Sequence, residues 1–124
     1  DPYKELMARN VINNKAYYIK YSSRRISPWS FSFLETHIRE LVDLSTHFKE
    51  VFVALICNVD GICCLNFQEF KTVIAIENPN FPKWIKTIRQ KREQYTVAGS
   101  DGKLTYKIGD RCLQAAINKI DTAK

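Results

Sequence analysis

The longest apolar block of the chain spans residues 51–67 and is interrupted once, by the pair Asp60-Gly61. An Asp-Gly pair between two apolar runs is typical of a β-hairpin, because a type I′ turn needs positive φ at both central residues. A two-residue turn would place Cys57 opposite Cys64 and make both faces of the hairpin apolar. A strand pair in a simple two-layer sheet has one polar face, so we expect this hairpin to be covered on both sides. The predicted faces are Val51, Val53, Leu55, Cys57, Ile62 and Cys64 on one side, and Phe52, Ala54, Ile56, Cys63, Leu65 and Phe67 on the other.

The length of 124 residues predicts a single domain, residues 1–124, that buries its own core. The apolar and charged fractions, 45% and 26%, are those of an ordinary globular protein. No apolar run reaches the roughly 18 residues of a membrane span. The first residues lack the apolar stretch of a signal peptide, although the sequence does not exclude a fragment of a longer protein. We therefore expect no membrane association.

Four cysteines, Cys57, Cys63, Cys64 and Cys112, are spaced unlike any zinc-binding motif. A disulfide between Cys57 and Cys64 is conceivable if they lie opposite each other in the hairpin. The usual burial of cysteine favours thiols packed in the core instead. Thiols persist in reducing compartments, so the sequence predicts an intracellular, cytoplasmic protein.

The net charge of +6 is distributed unevenly along the chain. Residues 35–77 hold seven acids and three bases, whereas the rest of the chain holds sixteen bases and six acids. Residues 6–34 contain five bases and no acid, and residues 83–92 contain another five bases and no acid. Charge separated in this way indicates a basic surface and an anionic partner.

Helix signals occur at four places along the chain. Ser32 is followed three residues later by Glu35, and Asn66 by Glu69, which is the spacing of a capping box. Apolar residues then recur at helical intervals. The four predicted helices begin at Asp1, Ser32, Asn66 and Asp110.

Strand patterns fill the intervals between these helices. Residues 16–25 and 83–89 alternate in side-chain type, and Trp84 shares a face with Lys86. Residues 26–30 are predicted to be a loop, since Pro28 disfavours a helical residue before it. Residues 95–108 form a second predicted hairpin, in which the alternation leaves one polar face.

The order of these elements resembles the ferredoxin-like, or split βαβ, arrangement. The predicted fold is therefore α+β, with a mixed or antiparallel sheet, a βαββαβ core, a C-terminal hairpin, and flanking N- and C-terminal helices. In this arrangement the strands 16–25 and 83–89 are neighbours. The strand 51–57 would lie at the sheet edge, although its apolar character suits a central position better.

The ferredoxin-like arrangement would merge the two basic clusters into one surface. Arginine and lysine neutralise phosphates, and an exposed aromatic ring stacks on bases. The leading hypothesis is therefore a nucleic-acid-binding domain, for DNA or RNA, without catalytic activity or a cofactor. The predicted binding residues are Lys20, Arg24, Arg25, Trp84, Lys86, Arg89, Lys91 and Arg92.

Two other functions are consistent with the sequence. The doubly apolar hairpin favours an assembly module that forms a homo-oligomer or binds a protein partner. Asp60 followed by Glu69-Phe70-Lys71 resembles the motif of PD-(D/E)XK nucleases, in which carboxylates hold Mg²⁺. A turn at Asp60 and a capping role for Glu69 account for both acids without a metal. The aromatic signature of RNA-recognition motifs is absent from residues 62–67.

Overall fold

The computed structural model describes residues 11–12 and 15–109. Within these ranges the chain forms two four-stranded sheets and two helices, which confirms the α+β class. The helices are α1 (Glu35–His47) and α2 (Phe67–Val73). The strands are β1 (Val11–Ile12), β2 (Lys15–Ser22), β3 (Trp29–Phe33), β4 (Glu50–Cys57), β5 (Ile62–Asn66), β6 (Lys83–Ile88), β7 (Thr96–Gly99) and β8 (Gly102–Lys103).

The first sheet has the strand order β1-β2-β4-β5. Strand β4 runs parallel to β2 and antiparallel to β5, so it is an inner strand. An inner strand packed on both faces buries both sets of its side chains, which is why the apolar run 51–57 occupies this position. The edge position that the ferredoxin-like arrangement assigns to this strand is therefore not observed.

The second sheet has the order β3-β6-β7-β8, and all its strand pairs are antiparallel. Strands β2 and β6, which carry the two basic clusters, lie in different sheets. The predicted ferredoxin-like βαββαβ core is not confirmed. Two sheets that share one core bury the apolar faces of β3, β4 and β6 together.

The structure has strand β3 at residues 29–33, so the predicted loop over 26–30 is too long and the predicted helix start at Ser32 is wrong. Trp29, Phe31 and Phe33 are buried. Ser30 and Ser32 between them are exposed. This alternation with a period of two is typical of a strand. The pairing of these residues with β6 outweighs the local capping signal of Ser32. Helix α1 begins only at Glu35, after Leu34.

The hairpin β4–β5 exists, but its register differs from the predicted one. Ala54, not Cys57, lies opposite Cys64, and residues 58–61 connect the strands. The turn starts early because Asn58 adopts a left-handed conformation (φ 52°) that Asn tolerates well. An odd shift in pairing moves every side chain of β5 to the opposite face. Cys63 and Leu65 therefore share the face of Val51, Val53, Leu55 and Cys57.

Both faces of the first sheet are packed, as the two apolar faces of the hairpin predict. The main core combines side chains from both sheets and both helices, and its largest members include Trp29, Phe33 and Phe70. A second, smaller cluster lies on the other face of the first sheet. Its buried members are Tyr17, Ala54, Ile62 and Cys64.

The cysteines only partly follow the prediction of packed thiols. Cys57 and Cys63 are buried thiols. Cys64 is disulfide-bonded, so the prediction is wrong for this residue, and the conceivable Cys57–Cys64 pair is not formed. Cys57 Sγ lies 3.4 Å from Thr87 Oγ1 of β6, and burial raises the pKa of the Cys57 thiol.

Helix α2 begins as predicted. Asn66 Oδ1 accepts from the Glu69 N–H at 2.8 Å, and Glu69 Oε1 accepts from the Asn66 N–H at 3.0 Å, which completes the capping box. The predicted N-terminal and C-terminal helices lie outside the described residues, except that Val11 and Ile12 are in a strand. Among the described residues, no helix is long and apolar enough to cross a bilayer.

Candidate functional site

Three loops meet at one edge of the molecule. The carboxyl ends of the parallel strands β2 and β4 lie at the same edge of the first sheet. The loops that follow these strands touch, since Asn58 Nδ2 donates to the Ser23 carbonyl at 2.9 Å. The end of β6 joins them, because the Arg89 N–H donates to Ser27 Oγ at 3.1 Å. Loops that follow neighbouring parallel strands are a common place for ligand sites.

A pocket of about 380 Å³ opens between these loops. Four of its lining side chains are basic and one is acidic. Three of the basic residues, Arg25, Lys91 and Arg92, are exposed. We call this site the basic pocket, and its lining residues are Arg25, Ile26, Ser27, Trp29, Asp60, Arg89, Gln90, Lys91 and Arg92.

Asp60 forms the hydrogen bonds that connect the segments at the inner side of the basic pocket. Its Oδ1 accepts from Arg89 Nη2 at 2.7 Å, and its Oδ2 accepts from the Tyr95 hydroxyl at 2.7 Å. Arg89 Nη2 also donates to the Asp60 carbonyl at 3.1 Å, and the guanidinium lies 5.1 Å from the centre of the Tyr95 ring. The Asp60 carboxylate thus connects the β4–β5 loop of the first sheet to two segments of the second sheet, the one that follows β6 and the one that precedes β7.

The ion pair with Asp60 distinguishes Arg89 from the three other bases of the pocket. The hydrogen bond that Arg89 donates to Asp60 raises the pKa of Arg89, and burial raises the pKa of Tyr95, so Arg89 stays charged and Tyr95 neutral. The charge of Arg89 is largely balanced by Asp60. Arg25, Lys91 and Arg92 are the charges that remain for an anionic ligand.

Arg92 has an unusual backbone conformation at the rim of the pocket. It is the third residue of a turn in which the Glu93 N–H donates to the Gln90 carbonyl at 3.0 Å, and its φ is 68°. A left-handed conformation costs a non-glycine residue about 1–2 kcal/mol, and glycine is the usual occupant of such turn positions. Strain of this kind often accompanies function.

Replacing Arg92 with glycine is expected to leave the free energy of unfolding unchanged or to raise it by up to about 1 kcal/mol, because glycine relieves the strain at some cost in chain entropy. Arg92→Ala keeps the strained backbone and should not gain stability. Urea denaturation of both variants measures the difference. A loss of more than about 1 kcal/mol in Arg92→Gly would show that the arginine side chain stabilises the turn.

Lys20 lies away from the basic pocket, which corrects its predicted position beside Lys86. Its Nζ is 3.4 Å from His37 Nδ1 and 5.2 Å from the centre of the Phe33 ring. Burial lowers the pKa of Lys20, although Glu40 opposes this effect. His37 Nδ1 also accepts from the Leu34 N–H at 3.0 Å, at the start of α1. The Lys20 side chain therefore lies between its own strand, β2, and helix α1.

Trp84 and Lys86 lie on the solvent-facing side of the second sheet, not in the pocket. Lys86 Nζ is 5.7 Å from the centre of the Trp84 ring. Arg24 precedes Arg25 in the same loop, and its carbonyl accepts from Trp29 Nε1 at 2.8 Å. Of the predicted binding residues, Arg25, Arg89, Lys91 and Arg92 converge on the pocket, Arg24 adjoins it, and Lys20, Trp84 and Lys86 lie elsewhere.

The residues of the nuclease-like motif have structural partners. Asp60 binds Arg89 and Tyr95, as described above. Glu69 caps α2 and its Oε2 accepts from the Tyr106 hydroxyl at 2.7 Å. Lys71 Nζ packs 5.2 Å from the centre of the Phe67 ring. Residues 11–12 and 15–109 contain no group of three or more ligating side chains that is arranged to hold a metal ion.

Sequence reasoning missed two residues that shape the pocket. Ser27 and Tyr95 hold Arg89 and Asp60 in place, but they are 62 and 35 residues away from them in the chain. No local pattern marks either residue as a partner. Comparisons of the chain with family models, curated proteins and solved structures find no match.

Proposed function

We propose that this protein binds nucleic acid at the basic pocket through phosphate contacts. The observation that supports this proposal is the convergence of three loops, from distant parts of the chain, that gather Arg25, Lys91 and Arg92 around one opening. Each side chain is exposed, and Asp60 is committed to Arg89 and Tyr95. Arginine and lysine clustered at loops are the ordinary phosphate contacts of nucleic-acid-binding proteins.

A polyanion fits this pocket better than a small anion does. The three exposed bases stand around an opening and do not converge on a closed cavity of matched donors. Such an arrangement holds successive phosphates weakly and additively, because each contact releases condensed counterions. The chain-wide charge of +6 adds long-range attraction for the same class of partner.

Binding is tested by titrating labelled single-stranded DNA, single-stranded RNA and duplex DNA at two salt concentrations. Three phosphate contacts predict an affinity loss of roughly 20- to 40-fold between about 50 and 200 mM salt. The double variant Lys91→Glu/Arg92→Glu should weaken binding by about ten-fold or more and lower the salt slope by about 1.5. Fluorescence anisotropy gives both quantities.

The matched control is Lys49→Glu/Lys71→Glu, which changes the net charge equally at exposed positions outside the basic pocket. It should retain most of the wild-type affinity. Equal losses in the two double variants would mean that the overall charge, not the pocket, attracts the probe. Unchanged binding by the Lys91→Glu/Arg92→Glu protein would refute the pocket as the binding site.

A cytoplasmic location rests on thiols in a reducing compartment, and the disulfide at Cys64 weighs against it, since structural disulfides persist in oxidising compartments. The assembly function rests on the second face of the first sheet. There Tyr21 is exposed, and Phe52 and Ile56 are half-buried. Phe52 and Ile56 therefore offer only part of their side-chain surface to a partner.

A further inference from the structure

The second sheet has one face in the main core and one face toward solvent. On the solvent side the residues pair across the strands in rows. Ser32 lies opposite Trp84, Ser30 opposite Lys86, and Ile88 opposite Thr96. Ala98 and Lys103 continue the row of Lys86. We call this surface the outer face, and its residues are Ser30, Ser32, Trp84, Lys86, Ile88, Thr96, Ala98 and Lys103.

Trp84 is the prominent side chain of the outer face. It is 43% exposed, and Ile88 on the same strand is 42% exposed. Its cross-strand neighbour Ser32 is small, so the indole ring projects from the sheet. The ammonium group of Lys86 lies over the indole ring, 5.7 Å from its centre, which places a positive charge on one face of a partly exposed aromatic side chain. Stacking surfaces for bases combine these two features.

The outer face and the basic pocket are adjacent along the chain at the end of β6. Strand β6 carries Trp84, Lys86 and Ile88 on the outer face, and Arg89 follows immediately at the pocket. The distance along the strand from Trp84 to Ile88 is about 13 Å. Among the described residues that form the outer face, two are lysines and none is acidic, so the outer face carries the same sign of charge as the three exposed bases of the pocket.

We infer that the nucleic acid bound at the basic pocket is single-stranded, and that it continues across the outer face with a base stacked on Trp84. This inference rests on the proposed function. The indole ring can stack only on a base whose face is available, and the base faces of a duplex are covered by their neighbours. The outer face adds stacking to the phosphate contacts, and its lysines follow the path of the backbone.

The test compares labelled probes of about ten nucleotides, within the usual site size of single-strand binders. The probes are single-stranded DNA, single-stranded RNA, a DNA duplex, and the same DNA strand with abasic nucleotides. Wild-type protein should bind both intact single strands more tightly than the duplex or the abasic strand. Trp84→Ala should weaken the intact strands by roughly ten-fold and leave the abasic strand unaffected, because stacking needs a base.

Two control variants distinguish stacking from a change in the fold. Trp84→Phe keeps an aromatic ring and should retain most of the affinity, while Tyr106→Ala removes an exposed ring outside both the outer face and the basic pocket and should have no effect on affinity. Duplex binding equal to that of the single strands, or no effect of Trp84→Ala on intact strands, overturns the inference while the proposed function stands. Failure of every probe to bind at low salt overturns both.

Discussion

Replacing Asp101 with alanine is expected to destabilise the protein by about 3–5 kcal/mol, because it leaves a buried lysine without its counter-charge. The Lys83 side chain is only 1% exposed, and its Nζ donates to Asp101 Oδ2 at 2.6 Å. The same oxygen accepts from the Ala75 N–H at 2.8 Å. Asp101 thus joins β6 to the chain that follows α2. Urea denaturation measures the loss.

The turn that carries Asp101 has little room to adapt. A Cβ atom on Gly99 would clash with the Val73 carbonyl oxygen, and one on Gly102 would clash with the Thr72 carbonyl oxygen. The Asp101 N–H donates to the Val73 carbonyl at 3.0 Å. The hairpin β7–β8 therefore lies directly against the backbone at the end of α2, and the carboxylate cannot be replaced by a shift of the loop.

The ion pair also predicts how stability depends on pH. The hydrogen bond from Lys83 lowers the pKa of Asp101 in the folded state. A carboxylate with a lowered folded pKa stabilises the fold above its unfolded pKa, which is about 3.9, and loses this contribution as the pH falls through the folded value. Wild-type protein should therefore lose more stability than the Asp101→Ala variant as the pH falls below about 4.

The control for this prediction is the double variant Lys83→Met/Asp101→Ala. Replacing a buried ion pair with apolar groups is often close to neutral, so the double variant should recover a large part of the lost stability. Asp101→Ala with less than about 1 kcal/mol of destabilisation would mean that the Lys83 ammonium group finds another partner.

The second large effect is expected from Asp60→Asn, which should change stability and affinity in opposite directions. The substitution removes the charged acceptor of Arg89 and Tyr95, and hydrogen bonds to a charged group contribute about 1.5–3 kcal/mol each. The pair is partly exposed, since the Arg89 and Asp60 side chains are 31% and 25% accessible, so we expect a net loss of about 1–3 kcal/mol.

Asp60→Asn should also bind the nucleic-acid probe more tightly than wild-type protein. The basic pocket then loses its one carboxylate and gains the uncompensated charge of Arg89 as a further phosphate contact. One added contact steepens the dependence of log affinity on log salt by about 0.7–0.9. Asp43→Asn removes an acid from α1, outside the pocket, and serves as the control. Weaker binding by Asp60→Asn in a folded protein would show that Asp60 positions the bases.

Local elements of the fold were predictable where neighbours in the chain decide them. The capping box of Asn66 and Glu69 formed as the spacing predicts, and β6 shows the predicted alternation. Strand β3 was missed because the capping signal at Ser32 competed with the alternation of Trp29, Phe31 and Phe33. The hairpin was predicted, but its register was not. The register depends on the left-handed conformation of Asn58, whereas the Asp-Gly pair indicated a turn two residues later.

The sequence by itself determined that a doubly apolar hairpin would be buried and that bases would be concentrated in 83–92. Only the tertiary structure decided that β2 and β6 lie in separate sheets, and that the loops that follow them still meet at the basic pocket. The hydrophobic pattern of a strand indicates how much of its surface must be buried. It does not indicate which other element of the fold covers that surface. The choice among partners depends on contacts between residues 29 or more positions apart, such as Asp60 and Arg89, that no local pattern encodes.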